Sequence, residues 1–214
     1  MTDYLLAGVL AYLIGSIPSG LILGKLFWHT DLREHGSHNI GATNAWRTLG
    51  KIPGIIVFAA DSIKGQAGVL LGLSLVGTPL AAVVGGLMAI VGHSFSFFLR
   101  FRGGKGVATS LGVLTMLMGN VTLIVFLLWL AIVCATRYVS LGSVGAAVAI
   151  GVFAIIFGEP PFSVLCILAV GATVVWAHRE NLSRLSQGSE RKFSIGSKDF
   201  GEKPIEEGRE KTHI

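Results

Sequence analysis

A run of three glycines around one lysine stands directly before an apolar segment of the chain. It reads Arg102-Gly103-Gly104-Lys105-Gly106, and the apolar residues that follow begin at Val107. Glycines at a helix start leave backbone N–H groups uncovered, and the helix dipole adds positive potential there. The pattern therefore indicates a site for an oxyanion or a phosphate group. The alternative is a tight turn at a membrane surface, with the Lys105 side chain reaching lipid headgroups.

This run differs from the nucleotide-binding P-loop. The P-loop requires a glycine at the position of Leu99 and a serine or threonine at the position of Gly106. A P-loop nucleotide site is therefore excluded, and the nature of the anion has to be inferred from the rest of the chain.

A second cluster of small polar residues lies between the first two apolar segments. Hydroxyl and amide side chains alternate there with glycines and are followed by an arginine: Ser37, Asn39, Gly41, Thr43, Asn44 and Arg47. Guanidinium, hydroxyl and amide groups together are typical of phosphate sites. A polar interfacial loop without a ligand is the alternative that this segment leaves open.

Two further segments carry residues of the same kind. Ser140 and Ser143 stand at the start of an apolar helix, and His178 and Asn181, three residues apart, share one helical face. Contact with lipid headgroups explains lysine and arginine, but it does not explain the accompanying serine, threonine, asparagine and glycine. We therefore expect four segments to meet at one anion-binding site: 37–47, 102–106, 140–143 and 178–181.

The composition places these segments in a membrane protein. Of the 214 residues, 52% are hydrophobic and 14% are charged, and the mean hydropathy is +0.70, well outside the range of soluble domains. The formal charge of +5 is spread between apolar spans without an aromatic and basic surface for nucleic acid. No Lys or Arg precedes Lys25, so the start of a signal peptide is missing and the first span is expected to be retained.

The apolar segments predict an all-α fold with seven transmembrane helices. A helix needs about 20 residues to cross the hydrocarbon core, and a single helix over 106–136 would be about 46 Å long, so we divide it at Gly119-Asn120. The predicted spans are residues 4–27, 52–76, 79–99, 106–118, 120–136, 141–157 and 162–178. Glycines such as Gly68, Gly72, Gly85 and Gly86 predict close helix packing. Asp61 and Lys64, one helical turn apart in the second span, are expected to pair.

The positions of the basic residues predict the orientation. With seven spans, every loop lysine and arginine falls on one side, and by the positive-inside rule this side is cytoplasmic. The N-terminus is then outside and the C-terminus cytoplasmic. We expect a membrane domain over residues 1–185 and a polar, mobile tail over 186–214 that is dispensable for chemistry.

The polar motifs resemble those of the bacterial acyl-phosphate:glycerol-3-phosphate acyltransferase family. The likeness rests on Gly36-Ser37-x-Asn39-x-Gly41-Ala42-Thr43-Asn44 with Arg47, on Gly103-Gly104-Lys105-Gly106-Val107-Ala108-Thr109, and on His178-Arg179-Glu180-Asn181. It extends from residue 4 to residue 185 and includes the order and spacing of the spans. All three motifs occur together, which makes the resemblance specific.

The resemblance implies a multi-pass enzyme of the cell inner membrane with its active site facing the cytoplasm. Such an enzyme transfers a fatty acyl group from acyl-phosphate to the 1-hydroxyl of sn-glycerol 3-phosphate, the first acylation of phospholipid synthesis. It implies no cofactor or metal, no nucleic acid and no obligate protein partner, and contact only with the two substrates and membrane lipids. In agreement, no histidine of the chain is followed five positions later by aspartate, so the His-x4-Asp acyltransferase motif is absent.

The resemblance also assigns roles to residues. The predicted catalytic residues are Ser37, Arg47, Lys105, His178 and Asn181. The predicted phosphate-binding residues are Asn39, Gly41, Thr43, Asn44, Gly103, Gly104, Gly106 and Ser143. For the proton of the glycerol hydroxyl, a substrate phosphate and His178 remain alternative acceptors.

A small-anion transporter is the alternative function. Basic residues and broken helices also build permeation sites. Against this alternative, the polar groups gather at one membrane face, the turns on the other side offer no matching charges, and inverted repeats are not apparent.

Overall fold

The computed structural model describes residues 1–193, and in this range the chain forms helices and loops without a β-strand. The all-α prediction is therefore confirmed. In chain order the helices are α1 Thr2–Ser16, α2 Ser19–Trp28, α3 Ala42–Leu49, α4 Lys51–Val76, α5 Pro79–Ser94, α6 Val107–Leu117, α7 Gly119–Thr136, α8 Val139–Ile156, α9 Pro161–Ala177 and α10 Arg179–Ser186, with a 3-10 turn at Phe97–Leu99.

Most of these helices have the length and composition of membrane spans. Five stretches qualify in the described part of the chain: Thr2–Trp28, Lys51–Val76, Pro79–Leu99, Gly119–Thr136 and Val139–Ile156. A sixth results when α9 and α10, bent by 54° relative to each other, are counted together. Helix α6 has only 11 residues, a length of about 16 Å. The prediction of an integral membrane protein is confirmed.

The first predicted span is broken rather than continuous. Helix α1 ends at Ser16 and α2 begins at Ser19, because Pro18 has no N–H to donate and its ring disfavours a regular helix. At the break the carbonyl of Ile17 accepts hydrogen bonds from the backbone of Ser19 and from Nζ of Lys64, each at 2.9 Å. The predicted span 4–27 therefore corresponds to the candidate span Thr2–Trp28, which consists of two helices.

The charged pair in the second span is formed as predicted. Lys64 Nζ lies 2.8 Å from Asp61 Oδ1, and both side chains are buried. Because the same ammonium also bonds Ile17, the pair fixes α4 against the break between α1 and α2. A buried charge is tolerated here because each ion has a partner.

The chain leaves the helical conformation at Met118, one residue before the predicted turn. Its backbone angles are φ −152° and ψ 62°, so α6 ends at Leu117 and α7 begins at Gly119. The division of residues 106–136 into two helices is therefore confirmed. The short α6 packs against α4 and α5 and carries the glycine–lysine run at its start.

Glycines bring the helices of the bundle into close contact, as predicted. A Cβ atom on Gly72 would lie within 3.0 Å of the Ala81 carbonyl, and one on Gly85 would lie within 3.0 Å of the Gly68 carbonyl. Helices α4 and α5 therefore approach each other through their backbones. Apolar side chains of α4, α5, α6 and α9 then form a continuous core.

We expect Gly85→Ala to destabilise the bundle by about 1–3 kcal/mol, the usual cost of overpacking. The new methyl group has no room between α4 and α5. Thermal unfolding of the purified protein in detergent measures the effect. Gly119→Ala is the matched control, because nothing lies within 4 Å of a Cβ atom there. Equal melting temperatures for the two variants would contradict the packing argument.

Candidate active site

A cavity of about 650 Å³ lies at the end of the bundle where α3, the start of α6, the start of α8 and the α9–α10 junction meet. All of the predicted site residues except Gly103 and Gly104 line it: Ser37, Asn39, Gly41, Thr43, Asn44, Arg47, Lys105, Gly106, Ser143, His178 and Asn181. Residues far apart in the chain thus share one space. Their chemical roles remain predictions.

The amide of Asn44 organises the loop before α3. Its Oδ1 accepts from the Ser37 N–H at 2.8 Å, and its Nδ2 donates to the carbonyls of Leu32, His35 and Asn39 at 2.9, 3.1 and 2.7 Å. The side chain is buried. These bonds use the hydrogen-bonding capacity of the amide, so Asn44 shapes the loop in place of the predicted phosphate contact.

Arg47, near the end of α3, presents a guanidinium to the cavity. Its Nη2 donates to the Arg191 carbonyl at 3.1 Å. Its buried Nε has no hydrogen-bond acceptor among residues 1–193. Burial lowers the pKa of Arg47 below its usual value, yet an arginine side chain stays protonated at neutral pH. A buried, charged N–H without an acceptor is suited to an anionic ligand.

The glycine run approaches the end of α5 instead of the cavity. The Gly103 N–H donates to the Ser94 carbonyl at 3.1 Å, and the Gly104 N–H donates to the His93 carbonyl at 3.0 Å. A Cβ atom on Gly103 would clash with the His93 carbonyl. The prediction that these two N–H groups hold phosphate is therefore corrected: they anchor the loop that presents Lys105.

Lys105 connects this loop to α10. Its Nζ donates a hydrogen bond to Oδ1 of Asn181, which leaves two N–H groups of the ammonium for a ligand. Burial lowers the pKa of Lys105 to about 8; Glu190 acts in the opposite direction, whereas Arg184 and Arg47 add to the lowering. The side chain is therefore cationic at neutral pH.

Gly106 turns the chain into α6 with a positive φ of 76°, a conformation that glycine adopts without strain. The residues that begin α6, Val107 and Ala108, also line the cavity. The free N–H groups of the first helical turn are thus close to the cavity, where they favour negative charge.

His178 and Ser143 complete the cavity wall, and each side chain already donates one hydrogen bond within the protein. Nδ1 of His178 donates to the Val174 carbonyl at 2.8 Å, so Nε2 is the nitrogen available as an acceptor. The Ser143 hydroxyl donates to the Val139 carbonyl at 2.8 Å and accepts from Nε1 of Trp129 at 3.3 Å. Ser143 is therefore a weaker candidate for donating to a phosphate than the prediction assumed.

The cavity wall also contains charged residues outside the predicted set, among them Asp61, Arg184 and Glu190. Asp61 was expected to pair with Lys64 and so to have a structural role. Glu190 was missed because it lies in the polar stretch after α10. The composition of that stretch predicted a tail without a role in the site. Residues 189–193 bond to the bundle, so the boundary at residue 185 is too early; the tail beyond residue 193 lies outside the described residues.

An apolar cavity of about 90 Å³ continues from the polar one between α6, α7, α8 and α9. The two cavities share five lining residues: Phe58, Val107, Phe126, Trp129 and Ser143. The deeper walls are formed by side chains such as Leu114, Val125 and Ile150. A ligand with a charged head and an apolar tail fits this pair of cavities.

Comparisons with known proteins agree with this geometry. The model of a family described as glycerol-3-phosphate acyltransferase matches residues 5–188. Glycerol-3-phosphate acyltransferase 2 of Moorella thermoacetica is 46% identical over 190 residues, which are 89% of this chain and 97% of that protein. A glycerol-3-phosphate acyltransferase of Thermus thermophilus is 43% identical over 187 residues, which are 86% of this chain and 92% of that protein.

The fold is also that of a solved enzyme. Crystal structures of PlsY, an integral membrane glycerol 3-phosphate acyltransferase, superpose with TM-scores of 0.84 for the glycerol 3-phosphate form and 0.82 for the lysophosphatidic acid form. Identity is 40% and 38%, and coverage is 89% of this chain and 96% and 95% of those chains. The chain belongs to the glycerol-3-phosphate acyltransferase family.

Proposed function

We propose that this protein transfers a fatty acyl group from acyl-phosphate to the 1-hydroxyl of sn-glycerol 3-phosphate. The products are 1-acyl-glycerol 3-phosphate, which is a lysophosphatidic acid, and inorganic phosphate. The observation that carries the proposal is the meeting of Arg47, Lys105 and Asn181 on one polar cavity that continues into an apolar one. Family membership supports the acceptor and the reaction type.

Both substrates and one product carry phosphate, which explains a cavity built from anion-binding groups. The Nε–H group of Arg47 and the two remaining N–H groups of Lys105 are charged hydrogen-bond donors for these phosphates. Ser37 and Thr43 add hydroxyl groups from the loop before α3, and the start of α6 adds backbone N–H groups.

In the reaction, the glycerol hydroxyl oxygen attacks the acyl carbonyl carbon, and the bond from that carbon to the phosphate oxygen breaks. Acyl-phosphate is already activated, so orientation and stabilisation of the developing charges supply most of the catalysis. The leaving phosphate keeps the electron pair of the broken bond, and a substrate phosphate accepts the hydroxyl proton. His178, with Nε2 as its open acceptor, orients the hydroxyl.

The acyl chain fits the apolar cavity. Phe58, Phe126 and Trp129 stand where the polar and apolar cavities join, so the reacting carbonyl lies between the phosphate groups and the chain. Burial of methylene groups contributes about 0.8 kcal/mol each, so every methylene group that enters this cavity strengthens binding of the donor.

We further propose seven membrane crossings, with the N-terminus outside, the C-terminus in the cytoplasm and the site facing the cytoplasm from the inner membrane. The ends of α2, α5, α7 and α9 that approach the cavity carry the basic loops, which the positive-inside rule places in the cytoplasm. We count α6, which starts at the site, as the fourth crossing. Because α6 is only about 16 Å long, we place the glycine loop before it below the membrane surface.

The proposal is tested with purified protein and a long-chain acyl-phosphate. Inorganic phosphate is expected to be released only after sn-glycerol 3-phosphate is added, with one lysophosphatidic acid formed per phosphate. Glycerol without the phosphate is the control acceptor and is expected to give no product. Uptake of labelled glycerol 3-phosphate into sealed vesicles without acylation would favour a transporter instead.

The pH dependence follows from Lys105. Its ammonium is protonated and binds phosphate below about pH 8, and it loses its charge above that value. We therefore expect kcat/KM for glycerol 3-phosphate to decline on the alkaline side with a midpoint near pH 8.

His178→Ala is expected to lower activity about tenfold, the value of one hydrogen bond, and to keep this alkaline decline. Loss of the decline in that variant would identify His178 as the titrating group.

A further inference from the structure

A short segment after α10 forms part of the wall of the polar cavity. Residues 188–193, here called the strap, contact α3 and the turn between α7 and α8. The Phe193 N–H donates to the Arg137 carbonyl at 2.6 Å, the Phe193 ring lies 5.1 Å from that of Trp46, and the Arg191 carbonyl accepts from Arg47 at 3.1 Å. The strap is therefore part of the site rather than a free end.

The strap places one carboxylate into the site. Glu190 is buried, its Oε1 accepts from the Ser140 hydroxyl at 2.9 Å and from Asn181 Nδ2 at 2.7 Å, and its Oε2 accepts from Arg184 Nε at 2.8 Å. Burial alone raises the pKa of Glu190, but the hydrogen bonds from Asn181, Arg184 and Ser140 lower it below the ordinary 4.5. The carboxylate is therefore ionised at neutral pH.

Glu190 determines which way the Asn181 amide points. Nδ2 of Asn181 donates to Glu190, so Oδ1 faces Lys105 and accepts from its ammonium. In the reversed orientation, the amide oxygen would face a carboxylate and the amide N–H groups would face an ammonium. Both contacts would then be repulsive, so the carboxylate selects the orientation that Lys105 needs.

We propose that Glu190 is a positioning residue that acts through Asn181 to hold the protonated Lys105 side chain in the cavity. The proposal rests on the proposed function, because it assigns Lys105 to substrate phosphate. Glu190 lies just beyond the segment matched by the family model, which ends at residue 188. Its contribution is electrostatic as well as geometric, since it places a negative charge close to the half-buried Lys105 ammonium.

Several charged and titratable groups face Lys105 or line the same cavity, and they shift the pKa of Lys105 in different directions. Glu190 and Glu180 raise the pKa of Lys105, whereas burial, Arg184 and Arg47 lower it. The set that lines the cavity comes from the loop before α3, α3, α4, α5, the α9–α10 junction, α10 and the strap: His38, Arg47, Asp61, His93, His178, Glu180, Arg184, Glu190 and Arg191. Removing a negative charge from this set is therefore expected to lower the pKa of Lys105, and removing a positive charge is expected to raise it.

Two substitutions test the proposal in opposite directions. Glu190→Gln removes the negative charge and keeps an acceptor for Asn181, so the alkaline midpoint of kcat/KM is expected to fall by about one pH unit. Arg184→Gln removes a positive charge, so the midpoint is expected to rise. A purely structural role of either residue would lower activity equally at all pH values and would leave the midpoint in place.

Glu159→Gln is the matched control. Glu159 lies in the turn between α8 and α9, and α8, with 18 residues, separates that turn from the site by about 27 Å. This variant is expected to keep both the activity and the midpoint of the wild-type protein. A shift of the same size in Glu159→Gln would show that net charge, rather than contact with Asn181, moves the midpoint.

The titration of Lys105 is also measured without the reaction. The rate at which trinitrobenzenesulfonate modifies Lys105 in the purified protein, followed by peptide mass as a function of pH, reports its pKa even if no acyl transfer occurs. The same downward shift in Glu190→Gln and upward shift in Arg184→Gln are expected. Unchanged labelling profiles overturn the proposal whatever the substrate is, and if Glu190→Gln does not fold, an unshifted Arg184→Gln profile overturns it alone.

Discussion

Lys105→Ala is expected to reduce kcat/KM for glycerol 3-phosphate by about 30- to 1,000-fold. This range corresponds to about 2–4 kcal/mol, the effect of removing one preorganised donor that stabilises charge in the transition state. The ammonium is half-buried, bonds Asn181 and keeps two N–H groups for phosphate. Its loss removes charge where the leaving phosphate develops it, so kcat is expected to fall along with kcat/KM.

Phosphate release at saturating acyl-phosphate measures this effect. Lys51→Ala is the matched control, because Lys51 is an exposed lysine at the start of α4 and is expected to leave turnover unchanged. A melting temperature close to that of the wild-type protein is the check on folding. Near-normal turnover of Lys105→Ala would contradict the phosphate-binding role of this residue.

Arg47→Ala is expected to reduce kcat/KM by about 10- to 150-fold, the value of one hydrogen bond to a charged group. The guanidinium is half-buried at the cavity wall, and its buried Nε lacks an acceptor within residues 1–193. Arg47→Lys is expected to recover only part of the loss, because an ammonium cannot reproduce the planar, two-pronged contact with phosphate.

Steady-state kinetics with each substrate varied in turn measure the loss and show which phosphate Arg47 holds. Arg33→Ala is the control, since Arg33 lies in the loop before α3 and its half-exposed guanidinium pairs with Asp31 at 2.7 Å. An equal loss in Arg33→Ala would mean that the loop, rather than the Arg47 charge, is the sensitive feature.

The sequence was sufficient for the features that depend on local pattern. Apolar segments of the right length predicted the helices, and the break inside residues 106–136 occurs at Met118 because Gly119 and the length of the run disfavour one helix. The spacing of Asp61 and Lys64 predicted their pair. Small residues on facing helices predicted the close contact of α4 and α5.

Features that depend on tertiary contact were not predictable in this way. A glycine-rich run before a helix presents N–H groups, but sequence does not reveal that carbonyls at the end of α5 accept from Gly103 and Gly104. Asn44 likewise has the composition of a phosphate ligand, whereas its amide is used by three carbonyls and one N–H of its own loop.

The break at Pro18 and the role of Glu190 were missed for different reasons. A proline in an apolar segment was accepted as part of a span, although it interrupts the helix locally. Glu190 stands in a polar stretch without apolar periodicity, and its three donors, Ser140, Asn181 and Arg184, are assembled only by the fold.

The central claim is that two phosphorylated molecules, one with a fatty chain and one water-soluble, bind together in the cavity between Arg47, Lys105 and Asn181. A structure of the protein with sn-glycerol 3-phosphate and an uncleavable acyl-phosphonate tests it most directly. Both phosphorus atoms are expected inside this cavity, with the acyl chain between α6, α7, α8 and α9. Finding either phosphorus atom bound elsewhere on the protein would contradict it.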